Sequence, residues 1–252
     1  MPTLPLVFML IGLHFGRYLL SAGGAWAFFF GWKGNPLTAT RRLQPGPFQR
    51  ADLKRELLAS AVTAVLFGTL FGVVFGGSTP VPFVRSGAGA VLEFFGWLGL
   101  IVLIHDTYFY WSHRLLHHRL VFPRVHALHH RSTNPSPFAA LAFHPVEALM
   151  QVIWAVPLSL LVPIPSVVWL AFSFLAIFVN VLGHCGVEPY PLSWQTHPVL
   201  KWLNFATMHN RHHVKFDGNF GLYFSFWDRW LKTNNGPLTP ALSPLRRERE
   251  TG

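Results

Sequence analysis

Four long apolar runs leave this chain few folds to choose from. Residues 4–31 are interrupted only by His14 and Arg17 as chargeable groups, and residues 57–76 carry none. A third run covers 89–111 and ends in Ile101-Val-Leu-Ile-His105-Asp106 and an aromatic cluster. A fourth covers 147–183 and is broken at Val162-Pro163-Ile164-Pro165. Roughly 20 apolar residues suffice to cross a bilayer as a helix. Lipid offers the backbone no hydrogen-bond partners, so such a run satisfies its own amides as a helix. The prolines at 163 and 165 break the last run, because proline lacks an amide hydrogen and restricts the residue before it. That run therefore reads as a fourth and a fifth span joined by a tight hairpin. The first run has no basic segment before it and no cleavage site after it, and reads as an anchor. The expected fold class is all-α: an integral-membrane helical bundle of four to five spans in two hairpins.

Charge supports a membrane protein and gives it a direction. Charged residues make up 12% of the chain, against about 25% in soluble domains. The net charge of +10 allows a nucleic-acid partner, but the basic residues sit between apolar runs and form no stripe on a polar domain. Nucleic acid is therefore not an expected partner. The segment 32–56 holds Lys33, Arg41, Arg42, Arg50, Lys54 and Arg55, whereas 77–88 holds only Arg85. Further basic residues follow the third run (Arg114, Arg119, Arg124, Arg131) and position 184 (Lys201, Arg211, Lys215, Arg229, Lys232). This alternation fits five crossings with 112–146 and 184–252 on the cytoplasmic side. Those two stretches hold twelve of the 14 histidines. The chain divides into N-terminal membrane helices (1–88), a histidine-rich region (89–232) and a Pro-, Ser- and Arg-rich tail (233–252) expected to be disordered.

The histidines fall into ordered clusters. His113 and His117 are four apart and share a helical face with Asp106 and Tyr110. A carboxylate at 106 is placed to accept the outer N–H of a liganding imidazole. His126-Ala-Leu-His129-His130 and His209-Asn-Arg-His212-His213 repeat one spacing, which lets two or three imidazoles meet at one metal. Asn180 lies one turn before His184. The candidate ligands are His113, His117, His126, His129, His130, His184, His209, His212 and His213; Asp106 and Asn180 are candidates for supporting them. Nine imidazoles exceed the needs of one ion and suit two, with positions left for oxygen or water. Imidazole alone does not choose among iron, zinc, copper and nickel. The single cysteine, Cys185, excludes a cysteine-based cluster and reads as packing.

Other polar residues have plainer readings. His14 with Arg17 reads as a packed pair or as a side chain reaching the helix end. His105 lies off the 106–113–117 face and reads as structural. His118 competes with His117, and the four-residue spacing favours His117. His144-Pro-Val-Glu147 reads first as a helix start, with a functional role for His144 as the alternative. His197, before Pro198, reads as a turn. Glu188 and Asp217 either orient ligands or are exposed. Phe220 to Trp230 lines a lipid entry or forms an aromatic belt.

The order Tyr110-Trp111-Ser-His113-Arg114-Leu-Leu-His117, His126-Ala-Leu-His129-His130, Phe143-His144-Pro145-Val-Glu147, Asn180 to His184-Cys-Gly186, and His209-Asn-Arg-His212-His213 closely resembles the fatty acid hydroxylase/sterol desaturase superfamily. Asn219-Phe220-Gly221 and Trp227-Asp228-Arg229 extend the likeness, which covers residues 95–232. The resemblance implies membrane helices topped by a cytoplasmic, histidine-rich helical cap, and a centre of two iron ions that activates O2 as co-substrate and oxidises an unactivated C–H bond of a lipid. It implies a separate electron donor: a reductase, ferredoxin or cytochrome. Some relatives carry a histidine where this chain has Asn180, which leaves any tenth ligand open. Two readings from other classes compete. A b-type heme protein needs paired axial histidines inside the bilayer, and a metal transporter needs ligands along a midplane path; the clusters at the span ends suit neither.

Overall fold

The computed structural model of the chain describes residues 4–75, 83 and 86–236. Most of the expected tail, 237–252, and Arg85 lie outside those residues. Among the described residues there are helices and two isolated β-bridges, with no strand. Four helices are long and apolar enough to cross a membrane: α1 (Leu4–Phe30), α3 (Arg50–Phe75), α4 (Ala88–Leu116) and α9 (Ser166–His184). Many of their large apolar side chains are exposed, among them Phe8, Leu20, Leu58, Leu92 and Phe95. Such a surface is expected of helices that face lipid tails.

The fourth span differs from expectation. In place of one long helix, residues 145–161 form α7 (Pro145–Val152) and α8 (Ala155–Leu161). The cause is Pro157. A proline deep inside a helix removes a hydrogen bond and clashes with the carbonyl four residues back. The helix restarts at Ala155 so that Pro157 falls in its first turn, where the amide has no intrahelical partner in any case. The break at 162–165 is present as read, with Val162 extended and α9 starting after Pro165.

One end of the bundle gathers the polar cap. Between α1 and α3, the short α2 (Pro36–Arg41) leads into a strand-like contact in which the Leu43 amide donates to the Gly186 carbonyl (3.0 Å) and the Glu188 amide to Arg41 (3.0 Å). At the start of α3, the Glu56 carboxylate accepts hydrogen bonds from Ser132 (2.7 Å) and Ser136. The short helices α5 (Phe122–Val125) and α6 (Ala127–His130) follow α4, and α10 (Ala206–Lys215) and α11 (Phe226–Trp230) follow α9. The α7–α8–α9 hairpin begins at His144 and ends at His184, so it leaves the cap and returns to it.

Small residues let α1 and α3 approach closely. A Cβ on Gly68 would stand 2.6 Å from the Ile11 nitrogen, and one on Gly72 would stand 2.9 Å from Val7 Cγ2. Close backbone approach of this kind is a usual source of helix association in lipid. Gly68→Ala is expected to lower the thermal unfolding midpoint in detergent, at a cost of about 1–3 kcal/mol. Gly96→Ala, on α4 where a Cβ meets nothing within 4 Å, is expected to leave it unchanged or raise it. Equal effects from both would show that the α1–α3 contact is loose.

Candidate metal centre

The nine candidate histidines come together as two groups. His113, His117, His126, His130 and His212 form the first, and His129, His184, His209 and His213 the second. Within each group every residue offers one ligand atom less than 4.8 Å from every other. The ends of α4 and α9 supply His113, His117 and His184; α6 with its preceding residue, and α10, supply the rest. The two HxxHH motifs do not each converge on one point, as their spacing suggested. His126 and His130 join the first group while His129 joins the second; His209 and His213 join the second while His212 joins the first. Residues four apart on a helix point the same way, and the residue between them is turned by roughly 100°. Each motif therefore serves both groups and ties them together, with the His130 and His213 ring centres 4.7 Å apart.

The chemistry of the donor set fits cations. Three rings have Nδ1 against a carbonyl, an acceptor that carries no hydrogen: His113 against Phe220 (2.9 Å), His184 against Asn180 (2.8 Å) and His212 against Gly218 (2.7 Å); His126 Nδ1 faces the Glu147 carboxyl (2.7 Å). Each Nδ1 facing a carbonyl must then donate, which leaves Nε2 as a lone pair in the neutral ring. The Nε2 atoms meet at 3.1–3.2 Å in the first group, in the pairs His113–His126, His126–His130 and His117–His130. In the second they meet at 3.0–3.3 Å around His184. The His113, His184 and His212 lone pairs point into these clusters, where a cation would accept them. Imidazole nitrogens about 2.1 Å from one ion stand about 3 Å apart when adjacent. His212 Nε2 is buried and has no hydrogen-bond partner among the described residues. Such packing leaves no room for a porphyrin between two axial rings.

Burial keeps these rings neutral. It pushes His117 down from an ordinary 6.5 to about 2, and His126, His129, His130, His209, His212 and His213 well below 6.5. Glu147 is buried against His126, so ionising it needs positive charge nearby, which a cation on His126 Nε2 would provide. The unfolded chain binds protons near pH 6.5 and the folded, metal-free chain does not. Stability is thus present above about pH 6.5 and lost as pH falls below it. The chelated protein is expected to melt well below its pH 7.5 midpoint at pH 5, and iron loading to shrink that difference. A flat profile for the metal-free protein would mean the rings are hydrated.

The supporting residues act differently from expectation. Asp106 touches no histidine; its Oδ1 accepts from the backbone amides of Tyr223 (2.8 Å) and Phe224 (3.2 Å). Asp228 accepts from the Phe220 (2.9 Å) and Gly221 (2.8 Å) amides. Together the two carboxylates hold the 220–224 loop, whose Phe220 carbonyl orients His113. The Asn180 side chain donates to Ala140 (2.6 Å), and only its backbone carbonyl serves His184. Glu147 was read only as a helix-start charge, yet it is fully buried on His126. The signal for it was the apolar surroundings of Phe143-His144-Pro145-Val-Glu147, where a lone carboxylate needs a buried partner.

The plainer readings fare well. His144 caps α7 by accepting from the Val146 amide (3.2 Å), and His197 accepts from Val199 and Leu200 (3.2 Å each) in a turn. His118 is exposed and lies outside both groups. Cys185 is buried packing. Glu188 is buried and accepts from the Thr207 amide at the start of α10 (2.9 Å), while Asp217 is exposed, 3.8 Å from Arg211. His14 is the packed partner of Arg17 (2.5 Å); Arg17 is buried and does not reach the helix end. Phe220 packs on the rings of His113, His117 and His212, with centres 5.1–5.7 Å apart.

Comparison with known proteins matches residues 98–233 to a family described as fatty acid hydroxylase. Lathosterol oxidase from Homo sapiens is 37% identical over 124 residues, covering 49% of this chain and 40% of its own length. A Delta(7)-sterol 5(6)-desaturase from Gibberella zeae is 35% identical over 156 residues, 61% of this chain and 41% of that protein. A second one from the same organism is 28% identical over 238 residues, 90% of this chain and 67% of that protein. The chain spans less than half the length of the first of these curated relatives. No solved structure matches it.

Proposed function

The chain belongs to the fatty acid hydroxylase family, and from that premise we propose that it is a membrane oxidoreductase that hydroxylates or desaturates an unactivated C–H position of a lipid. The relatives' names favour a sterol or a related lipid. The reaction takes O2 as co-substrate and electrons from a separate donor protein, with the centre on the cytoplasmic face. The observation that carries the reading is the sorting of nine imidazoles into two adjacent groups whose lone pairs converge.

Two iron ions held by these groups supply the redox chemistry. In either outcome two electrons come from the substrate and two from the donor. Hydroxylation leaves one oxygen atom on carbon and one in water; desaturation leaves both in water. The protein's part is to hold and orient. The Phe220, Gly218 and Asn180 carbonyls fix three rings with Nε2 inward. Glu147 fixes His126 and balances charge. Phe143 packs on His129, with ring centres 5.2 Å apart, and Phe220 covers the first group, which keeps water from the centre.

Lipid mass spectrometry of a host with and without the gene tests the reading. The expected result is one lipid class changed by one oxygen atom or two hydrogen atoms. Metal analysis of anaerobically prepared protein is expected to give about two iron per chain. An unchanged lipid profile, with electrons and O2 supplied, would overturn it.

A further inference from the structure

A cavity of about 420 Å³ lies beneath the histidines, walled by Leu10, Phe71, Trp154, Trp169, Leu170 and Phe172. A narrower one of about 70 Å³ continues from it to Phe143 and Asn180. Phe143 packs on the His129 ring and the Asn180 carbonyl holds His184, so the narrow arm ends one side chain short of the second histidine group, with Phe143 between them. Both cavities are lined by Arg17, Phe67, His105, Gln151 and Ala176, which mark their junction.

That junction is polar in an apolar tunnel. Arg17 stands near the middle of α1, only 8% exposed. It donates to the Ser173 carbonyl and meets His14 Nδ1, but its Nε is buried with no hydrogen-bond partner among the described residues. Gln151 is also 8% exposed, and its Oε1 is buried with no hydrogen-bond partner among the described residues. No Asp or Glu is among the described residues lining either cavity. An arginine at mid-span is costly unless an oxygen or anion meets it, and an unmet buried amide carries a further cost. Arg17 Nε–H lacks an acceptor and Gln151 Oε1 lacks a donor; one hydroxyl, or one protonated carboxyl, supplies both, and the space around it accepts hydrocarbon.

We propose that Arg17 and Gln151 bind the hydroxyl or carboxyl oxygen of the lipid substrate at this junction, with most of its hydrocarbon in the larger cavity and the carbon to be oxidised in the narrow arm. The assignment rests on the lipid-oxidation reading for calling that lipid the substrate. The site thereby selects amphiphiles over hydrocarbons of the same shape.

The test reads binding rather than turnover. The full chain, loaded with iron in phosphatidylcholine nanodiscs, is titrated with tritiated lathosterol or octadecanoic acid. Each is competed by its counterpart lacking oxygen, the 3-deoxy sterol or octadecane. The wild type is expected to prefer at least one oxygenated probe by about tenfold or more. Arg17→Met and Gln151→Leu should each bring that ratio towards one, with iron content retained as the check on folding. Arg17→Lys should keep part of it. Preference for lathosterol alone assigns a hydroxyl; preference for octadecanoic acid alone assigns a carboxyl. If Arg17→Met fails to fold, Gln151→Leu decides. A wild-type ratio near one for both pairs, or ratios unchanged in the variants, overturns the proposal. Oxygen preference in a protein that changes no lipid in the host would keep this site and remove the oxidation reading instead.

Discussion

His129→Ala and His212→Ala are each expected to lower turnover by about a thousandfold or more while the protein still inserts into the membrane. The two residues come from different groups, so the pair tests whether both groups are needed. His212 Nε2 is a buried atom with no hydrogen-bond partner among the described residues; only a ligand gives it a role. His129 Nε2 stands 3.3 Å from that of His184, and its loss leaves three imidazoles in its group. Iron content should fall in both variants. His118→Ala, on an exposed ring outside both groups, should match the wild type. Full activity in both ligand variants would separate the histidines from the reaction.

Glu147→Ala is expected to cost about 10–100-fold in iron affinity or activity. The carboxylate lies 2.7 Å from His126 Nδ1, and both side chains are buried to within 1%. Removing it leaves an imidazole N–H with no acceptor and leaves the first group's positive charge unbalanced. Glu147→Gln keeps an acceptor without the charge, so it separates the two effects. Affinity close to wild type in Glu147→Gln would assign the role to orientation alone. Wild-type iron binding in both variants would sink the orienting role.

Much of this was legible because it is local. Spacings of three and four residues mark the histidines as neighbours on short helices, and each of the nine picked from spacing lies in a group. The runs that became α1, α3, α4 and α9 declared themselves by length and hydropathy. The broken span was harder: Pro157 sits in an apolar run that otherwise continues through 147–161, and the run masked the break it causes. Asp106 was placed on the right face of α4, but what it meets is the backbone of Tyr223 and Phe224, more than a hundred positions away. The partners of His113 and His212 are carbonyls of Phe220 and Gly218, and every residue has a carbonyl, so no side-chain pattern announces them.

Apolar length and histidine spacing alone mark the chain as membrane helices with nine imidazoles at one end of them. Periodicity, apolar length and charge asymmetry are properties of neighbouring residues and need no fold to be read. Only the tertiary structure decided that the nine divide five and four, with adjacent His129 and His130, and His212 and His213, sent to opposite groups. That division depends on how α4, α6, α9 and α10 are set against one another, and those angles come from packing between distant segments. The same packing put Glu147 beneath His126 and Arg17 at the junction of the two cavities.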